Sequence, residues 1–393
     1  MICFMPTHDE IHFDKYTEEN KAKHKILGDY LPAYFNALKN QVTGFHYIDG
    51  FAGRGSYEGV YPGSPVLVLD KIADADLLNR TSVSLVEERP DFFDELYSVI
   101  DANGHTAKLF DPPYMRQGKF SEHIDTLLTR PIYKKPGRIA TFAFVDPCGV
   151  DGVRMRDLMR ILGMDFGELL LFFNYDGVNR LIGGVEKGTH ESRILTDLFG
   201  SDGAVTSLLG GLNAVSDSKK REKIIRRHFV AQLIANGARY VLPFRIQAKN
   251  RSRTSHYLVH CCNNCLGFKF IKHVMWEAGR SESDDYGRLE FSAAVSEGGQ
   301  LDLWRPDIDL KKKEILKELS QSQRMVGDYI NSKVCEPSDT YSEKVYKRML
   351  MDLEESGDIQ VFDKHNAEPC PMEKRRKIKG SATLGNDYWL RGL

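Results

Sequence analysis

Tyr47-Ile48-Asp49-Gly50-Phe51-Ala52-Gly53-Arg54-Gly55 decides how the rest of the chain is read. Residues 45–49 form an apolar and aromatic run that stops on a carboxylate, which predicts a strand. Gly53 and Gly55 then let the backbone approach a ligand closely or take a positive φ. The pattern repeats outward. Residues 82–87, 107–111, 139–146 and 168–174 are strand-like runs ending in an acid or a turn, each followed by a helical pattern. Strands alternating with helices predict an α/β fold, a parallel sheet with helices on both faces. Before the first strand, residues 14–40 place Ile26, Leu27, Tyr30, Leu31, Tyr34, Phe35 and Leu38 at helical spacing, and Pro32 is expected to kink or split that helix. Past the fifth, a polar helical section at about 179–236 leads to strand-like runs at 239–248 and 255–262, joined by a turn at 249–254. This hairpin is expected to close the sheet with an antiparallel edge.

The 393 residues suit two domains. The sheet is expected to occupy residues 1–300, with a helical insertion at about 176–238 that turns basic from 219. In residues 301–393 the pattern changes to helices at 311–334 and 341–355, a short strand after Gly357, a basic loop and a last strand near 388–390, which predicts a winged helix. A hydrophobic fraction of 41% supports a packed core and argues against a disordered or collagen-like chain. No apolar run approaches the roughly 20 residues that cross a bilayer. Residues 1–5 lack the basic and apolar regions of a signal peptide. Seven cysteines, an odd number in a long chain, argue against a secreted disulfide framework. A cytoplasmic location and no membrane contact are the expectation.

Net charge is −1, yet residues 219–280 hold 14 Lys/Arg against two acids, Glu222 and Glu277. That asymmetry suggests a surface facing a polyanion, nucleic acid foremost, although an acidic protein face would select the same residues.

In an open α/β sheet the ligand lies beyond the carboxyl ends of the strands. The residues expected there are Asp49, Glu87, Asp111 and Asp146. The first turn lacks the G-x-G-x-x-G spacing that suits a dinucleotide pyrophosphate. Its acid just ahead of the glycines would repel a pyrophosphate but accept from a cationic amino-acid headgroup, and S-adenosylmethionine carries one. Glu87 is placed to accept from both ribose hydroxyls and Asp111 from the adenine amine.

The loop residues 47–57, followed by Tyr61-Pro62-Gly63-Ser64-Pro65, resemble the cofactor loop of the large-subunit ribosomal RNA adenine methyltransferases, and Lys23-His24 resembles an additional cofactor motif of that family. Over nearly the whole chain the closer likeness is to the bacterial three-Cys-motif partner proteins. Its marks are residues 23–27, Tyr30-Leu31-Pro32-Ala33-Tyr34, the Asp49–Gly53 loop, Pro62-Gly63-Ser64-Pro65 and Phe144-Val145-Asp146-Pro147. The resemblance implies a Rossmann-like S-adenosylmethionine-dependent methyltransferase sheet. It also implies a radical-SAM-like partner protein that bears the three cysteines, so Cys261, Cys262 and Cys265 are not that motif. Lys23, His24, Asp49, Gly53, Gly55, Ser64, Glu87 and Asp111 are then the expected cofactor residues.

Adenine amino-methyltransferases carry Asp/Asn-Pro-Pro-aromatic at the fourth strand end. There the acid and a proline carbonyl orient the amine and the ring stacks on an unpaired base. This chain has Asp146-Pro147-Cys148-Gly149, which keeps the acceptors and loses the ring. Asp146 and Pro147 are the expected catalytic residues. Phe173 or Tyr175 would supply the platform, at roughly 1–3 kcal/mol per stacked base. Asn174, with Asp176, Asn179 and Arg180, either contacts substrate or caps the following helix. Asp111-Pro112-Pro113-Tyr114 matches the motif literally but ends the third strand by order, so it is assigned to the cofactor; a different strand count would move catalysis to Asp111 and Tyr114. Lys249, Arg251 and Arg253 are expected to bind phosphates. Cys262 and Cys265 with His260 and His273 are read as ordinary thiols and histidines, with no metal. The rival reading is a non-catalytic adaptor that uses this fold to bind nucleic acid or the radical-SAM-like partner.

Overall fold

The computed structural model describes residues 16–247, 254–279, 289–292, 308–365, 368–378 and 381–393. Two compact units divide the chain: 1–270 with 290–299, and 271–289 with 300–393.

The first unit begins with α1 (Glu18–Leu38), whose N-cap Thr17 accepts from the Asn20 amide and whose first turn carries Glu18 and Glu19. Pro32 neither ends nor splits it. The helix runs on to Leu38, with Leu31, Tyr34 and Phe35 buried around the proline.

Five parallel strands follow: β1 (Gly44–Asp49), β2 (Thr81–Glu87), β3 (Tyr114–Gln117), β4 (Ile139–Val145) and β5 (Glu168–Phe173). Their crossovers carry α2 (Ser64–Asp74), α3 (Pro90–Asp101), α4 (Phe120–Leu127) and α5 (Met155–Leu162). Beyond β5 come α6 (Tyr175–Glu186), α7 (Arg193–Phe199), α8 (Asp202–Leu212) and α9 (Ser218–Ala235). Then β6 (Tyr240–Gln247), β7 (Thr254–Cys262), the start of α10 (Cys265–Ala278, whose residues from Ile271 belong to the second unit) and β8 (Glu290–Ser292) complete the series. The eight-stranded sheet has the order β8-β6-β7-β5-β4-β1-β2-β3. Every residue of β1, β2, β4 and β5 is buried, as a sheet covered on both faces requires.

Two expectations need correction. The β6–β7 hairpin forms, but its antiparallel strand β7 is not an edge: it sits between β5 and β6, and the edge is β8, parallel to β6. The third strand is not residues 107–111. Residues Thr106–Lys108 form a 3₁₀ turn, and the strand is Tyr114–Gln117, pairing Ser84 with Tyr114 and Glu87 with Gln117.

In the second unit, α11 (Ile308–Leu319), β9 (Arg324–Met325), α12 (Val326–Val334), α13 (Glu343–Glu355), β10 (Ile359–Phe362) and β11 (Trp389–Gly392) follow one another. The strands pair antiparallel in the order β9-β11-β10. The predicted helix 311–334 is two helices, interrupted where Arg324 and Met325 pair with β11. Ile315, Val326, Tyr346, Met349, Leu350 and Leu390 are among the buried residues of this unit.

Candidate active site

Strand order reverses at β1, which has β2 on one side and β4 on the other. The crevice beyond the carboxyl ends of β1 and β4 is where an open α/β sheet takes a ligand. Asp49 ends β1, Glu87 ends β2 and Asp146 follows β4.

Asp49 is wholly buried. Its Oδ1 accepts from the Phe51 amide at 3.3 Å, and its Oδ2 accepts from Ser64 Oγ at 2.7 Å and the Tyr47 hydroxyl at 3.1 Å. Burial pushes its pKa up to about 7 in spite of these donors, and the nearby Asp146 charge adds to the rise. Asp49 and Ser64 thus hold each other and brace the loop between them. Gly53 and Gly55 have φ of +61° and +80°. Gly63 donates to the Gly55 carbonyl at 2.8 Å, and a Cβ on it would stand 2.9 Å from that carbonyl, so the turn requires glycine there. Glu87 accepts from the Gly53 amide at 2.8 Å and the Arg89 amide at 2.9 Å. Burial raises its pKa, and the two amides oppose the rise. A carboxylate has about four acceptor directions, so the Glu87 side chain keeps capacity for further donors. Nothing lies within 4 Å of the position a Cβ would take on Gly53, so the loop is open there.

Helix α1 delivers Lys23 and His24 to this crevice. Lys23, 5% exposed, bonds Asp146 through Nζ, which also lies 4.9 Å from the centre of the Phe172 ring. Burial opposes the ammonium charge, yet the Asp146 carboxylate leaves the pKa above that of an ordinary lysine. His24 is buried, and neither ring nitrogen has a hydrogen-bond partner. Its ring packs near Tyr16 and Tyr57, at 5.6 and 5.7 Å. Burial, with Lys23 beside it, pushes the imidazole down to about 3, so it is neutral at physiological pH. A neutral imidazole with two unspent nitrogens in a crevice suits a polar ligand.

Phe173 and Tyr175 do not form the expected aromatic platform. Phe173 is buried and stacked on Phe229 at 4.2 Å, and Tyr175 is buried against Tyr257 at 6.3 Å, so both belong to the core. Phe172, one residue earlier and so on the other face of β5, stacks on His256 at 4.3 Å beneath Lys23. Sequence reading passed over Phe172 and His256; alternation along β5 held the signal for the first, and nothing local held one for the second. Asn174 caps α6, its Oδ1 accepting from the Gly177 amide at 2.8 Å.

Asp111 is not in the crevice. It precedes β3, near the amino end of β2, where the Phe110 amide donates to the Thr81 carbonyl at 3.1 Å. Arg130 bonds its Oδ2 and also donates to the Pro112 carbonyl. Both the cofactor role for Asp111 and the catalytic alternative with Tyr114 are therefore corrected. The carboxyl end of β3 is Gln117 with Gly118, whose amide donates to the Glu87 carbonyl at 2.9 Å.

Lys249, Arg251 and Arg253 lie outside the described residues. Other cations of the basic stretch are taken up internally: Arg245 by Glu222 at 3.3 Å and Glu290 at 3.1 Å, Arg221 by Glu186 at 3.0 Å. Among the described residues one buried trio, Glu168, His260 and Cys262, gathers potential ligand atoms within 4.8 Å of one another. Hydrogen bonds account for it. His260 Nε2 meets Glu168 Oε2 at 3.0 Å, the Tyr30 hydroxyl donates to the same oxygen, and Cys262 donates to the Asn264 carbonyl at 3.3 Å.

No family model matches the chain, and no curated protein matches it either. Among solved structures, it is similar to protein LPL1258 of Legionella pneumophila, at 12% identity over 62% of this chain and 84% of that one, with a TM-score of 0.36. An O-methyltransferase of Bacillus cereus, in complex with S-adenosylhomocysteine, matches at 14% identity over 66% and 94%, with a TM-score of 0.31. A Clostridium thermocellum protein named as an rRNA methylase matches at 12% over 59% and 96%, with a TM-score of 0.27. These scores are too low to carry anything about activity, which rests on the site itself.

Proposed function

We propose that the first unit is an S-adenosylmethionine-dependent methyltransferase acting on a base amine of nucleic acid, adenine N6-like. One observation carries this reading: Asp146-Pro147 stands at the reversal point of the sheet, beside a glycine loop whose Gly53 amide is anchored on the Glu87 carboxylate. Glu87, the Gly53 backbone and His24 are the groups with polar capacity left for a nucleoside and its amino-acid tail; Asp49 and Ser64 keep the loop in shape behind them. Asp111 has no part. The cofactor, when bound, supplies a methyl group on a sulfonium.

Asp146, held by Lys23, and the Pro147 carbonyl accept from the target amine and so aim its lone pair. Orientation of this kind replaces a general base, because the amine loses its proton after attack. Radiolabelled methyl transfer to total RNA, DNA and protein fractions tests the proposal. Label in nucleic acid that disappears with Asp146→Ala supports it; label confined to protein would overturn the substrate class.

The adaptor reading is favoured by one observation, that Cys148 stands where a stacking ring is expected and neither Phe173 nor Tyr175 replaces it. Calorimetry with S-adenosylmethionine separates the two, since an adaptor without cofactor gives no heat. We read the second unit as a winged helix, with α13 in the position of the helix that reads a groove. Its cations are already paired: Lys344 with Glu277 at 2.7 Å, Lys347 with Glu343 at 2.9 Å and Arg348 with Asp352 at 2.9 Å. That supports docking of a protein, such as a radical-SAM-like partner, more than reading of a duplex.

A further inference from the structure

A cavity of about 440 Å³ opens directly beside the Asp146-Pro147 turn, lined by Cys148, Val150, Asn174, Arg180, Leu181 and His190. Its size falls in the range of about 300–1,000 Å³ typical of small-ligand sites. One face of α6 forms a wall, because Gly177, Arg180 and Leu181 succeed one another at helical spacing.

Arg180 brings a charge that no acid among the described residues pairs. It is exposed, its Nε reaches the Asp176 carbonyl at 3.4 Å, and among the described residues it makes no ion pair. The same helix carries two acids, Asp176, one turn before Arg180, and Glu186, which Arg221 holds at 3.0 Å; neither forms an ion pair with Arg180. The outer nitrogens of the guanidinium fork remain for a ligand, and that fork fits a phosphate.

His190 brings an acceptor. The Thr189 hydroxyl donates its one proton to the Gly184 carbonyl at 3.0 Å. With that proton spent, His190 Nδ1, 3.0 Å from the same hydroxyl oxygen, is assigned as the donor, and Nε2 as the acceptor left for a ligand. Gly184 makes room for this arrangement, since a Cβ there would stand 2.3 Å from Nδ1. Val150 and Leu181 give apolar surface between the two polar groups.

A cation, an acceptor and an apolar wall match the three parts of one nucleotide: phosphate, sugar hydroxyl and base plane. We propose that this cavity seats a single unpaired nucleotide of the acceptor, its phosphate on Arg180 and its base directed to the Asp146-Pro147 turn, an inference that rests on the methyltransferase reading.

Calorimetry on the full chain with adenosine and with its 5′- and 3′-monophosphates tests it. One of the monophosphates is expected to bind about tenfold more tightly than adenosine. Arg180→Gln should erase that preference and leave adenosine affinity within about twofold; His190→Asn should weaken both ligands alike. Equal affinity for all three ligands, a preference that survives Arg180→Gln, or tighter binding of N-acetylglutamate than of either monophosphate overturns the proposal, the last in favour of an acidic peptide. A parallel titration with S-adenosylhomocysteine keeps the two readings apart. Heat with that ligand but no phosphate preference sinks the cavity assignment alone, whereas no heat with it sinks the methyltransferase reading while the nucleotide titrations still decide the cavity.

Discussion

Asp146 and Asp111 are each an aspartate followed by proline, and each is gripped by one cation, Lys23 or Arg130. They stand at opposite ends of strands in the same parallel sheet. Asp146 follows the carboxyl end of β4, next to the glycine loop and a cavity; Asp111 precedes the amino end of β3, where Arg130 also holds the Pro112 carbonyl. Asp111 has the fuller motif, Asp-Pro-Pro-Tyr, and the position without chemistry. Strand polarity, more than the motif, decides which aspartate meets a ligand.

The sharpest way to break this comparison is a pair of substitutions. Asp146→Ala should lower methyl transfer about 10³-fold, with the affinity for S-adenosylhomocysteine kept within about threefold by calorimetry. Asp111→Asn should change transfer less than about threefold. Comparable losses from both would end the distinction. Next in size, Arg130→Met strands the Asp111 carboxylate and should cost about 3 kcal/mol in denaturant unfolding, while the protein that stays folded turns over normally. Lys23→Met should lower kcat about 10²-fold and Lys23→Arg recover part of it. A purely structural lysine would instead lower the unfolding midpoint and leave kcat per folded molecule unchanged.

The smallest effects contrast the two ends of β1. Asp49, raised to about 7 by burial, favours the folded state most when protonated, so its contribution is lost as pH rises from about 4 to about 7. His46 is also buried, between Tyr133 and Ser84 at 2.8 Å each, and burial pushes it down to about 3. Its contribution is complete above about 6.5 and is lost as pH falls toward 3. Between pH 5 and 7, Asp49→Asn should gain about 2 kcal/mol on the wild type in denaturant titrations. His46→Asn should flatten the acid side of the stability profile.

Most strand ends were legible because the apolar run stops where a buried strand meets the crevice, as at Asp49, Glu87 and Asp146. The third misled for a physical reason. An edge strand carries polar side chains, so Tyr114-Met115-Arg116-Gln117 is mostly not buried and resembles a loop, whereas Ala107-Lys108-Leu109-Phe110-Asp111 imitates a strand. Phe172 and Phe173 pose a different problem. Both are aromatic, and which one faces the crevice depends on the register of β5 against its neighbours, information that a single sequence does not hold. Arg180 was visible as a candidate only because it follows the fifth strand; its lack of an ion pair, and the role of His190, emerge from the packing of α6 and the turn after it.

Lys23 and Asp146 are 123 residues apart in the chain. A ribosome adding about 5–20 residues per second makes the first wait about 6–25 s for the second. During that interval an ammonium destined for burial has no counter-charge, which disfavours docking of α1 on the sheet until the fourth strand has left the exit tunnel. The candidate site thereby waits for the fourth strand, and an interrupted nascent chain ending before residue 146 would expose the apolar face of its own opening helix to chaperones.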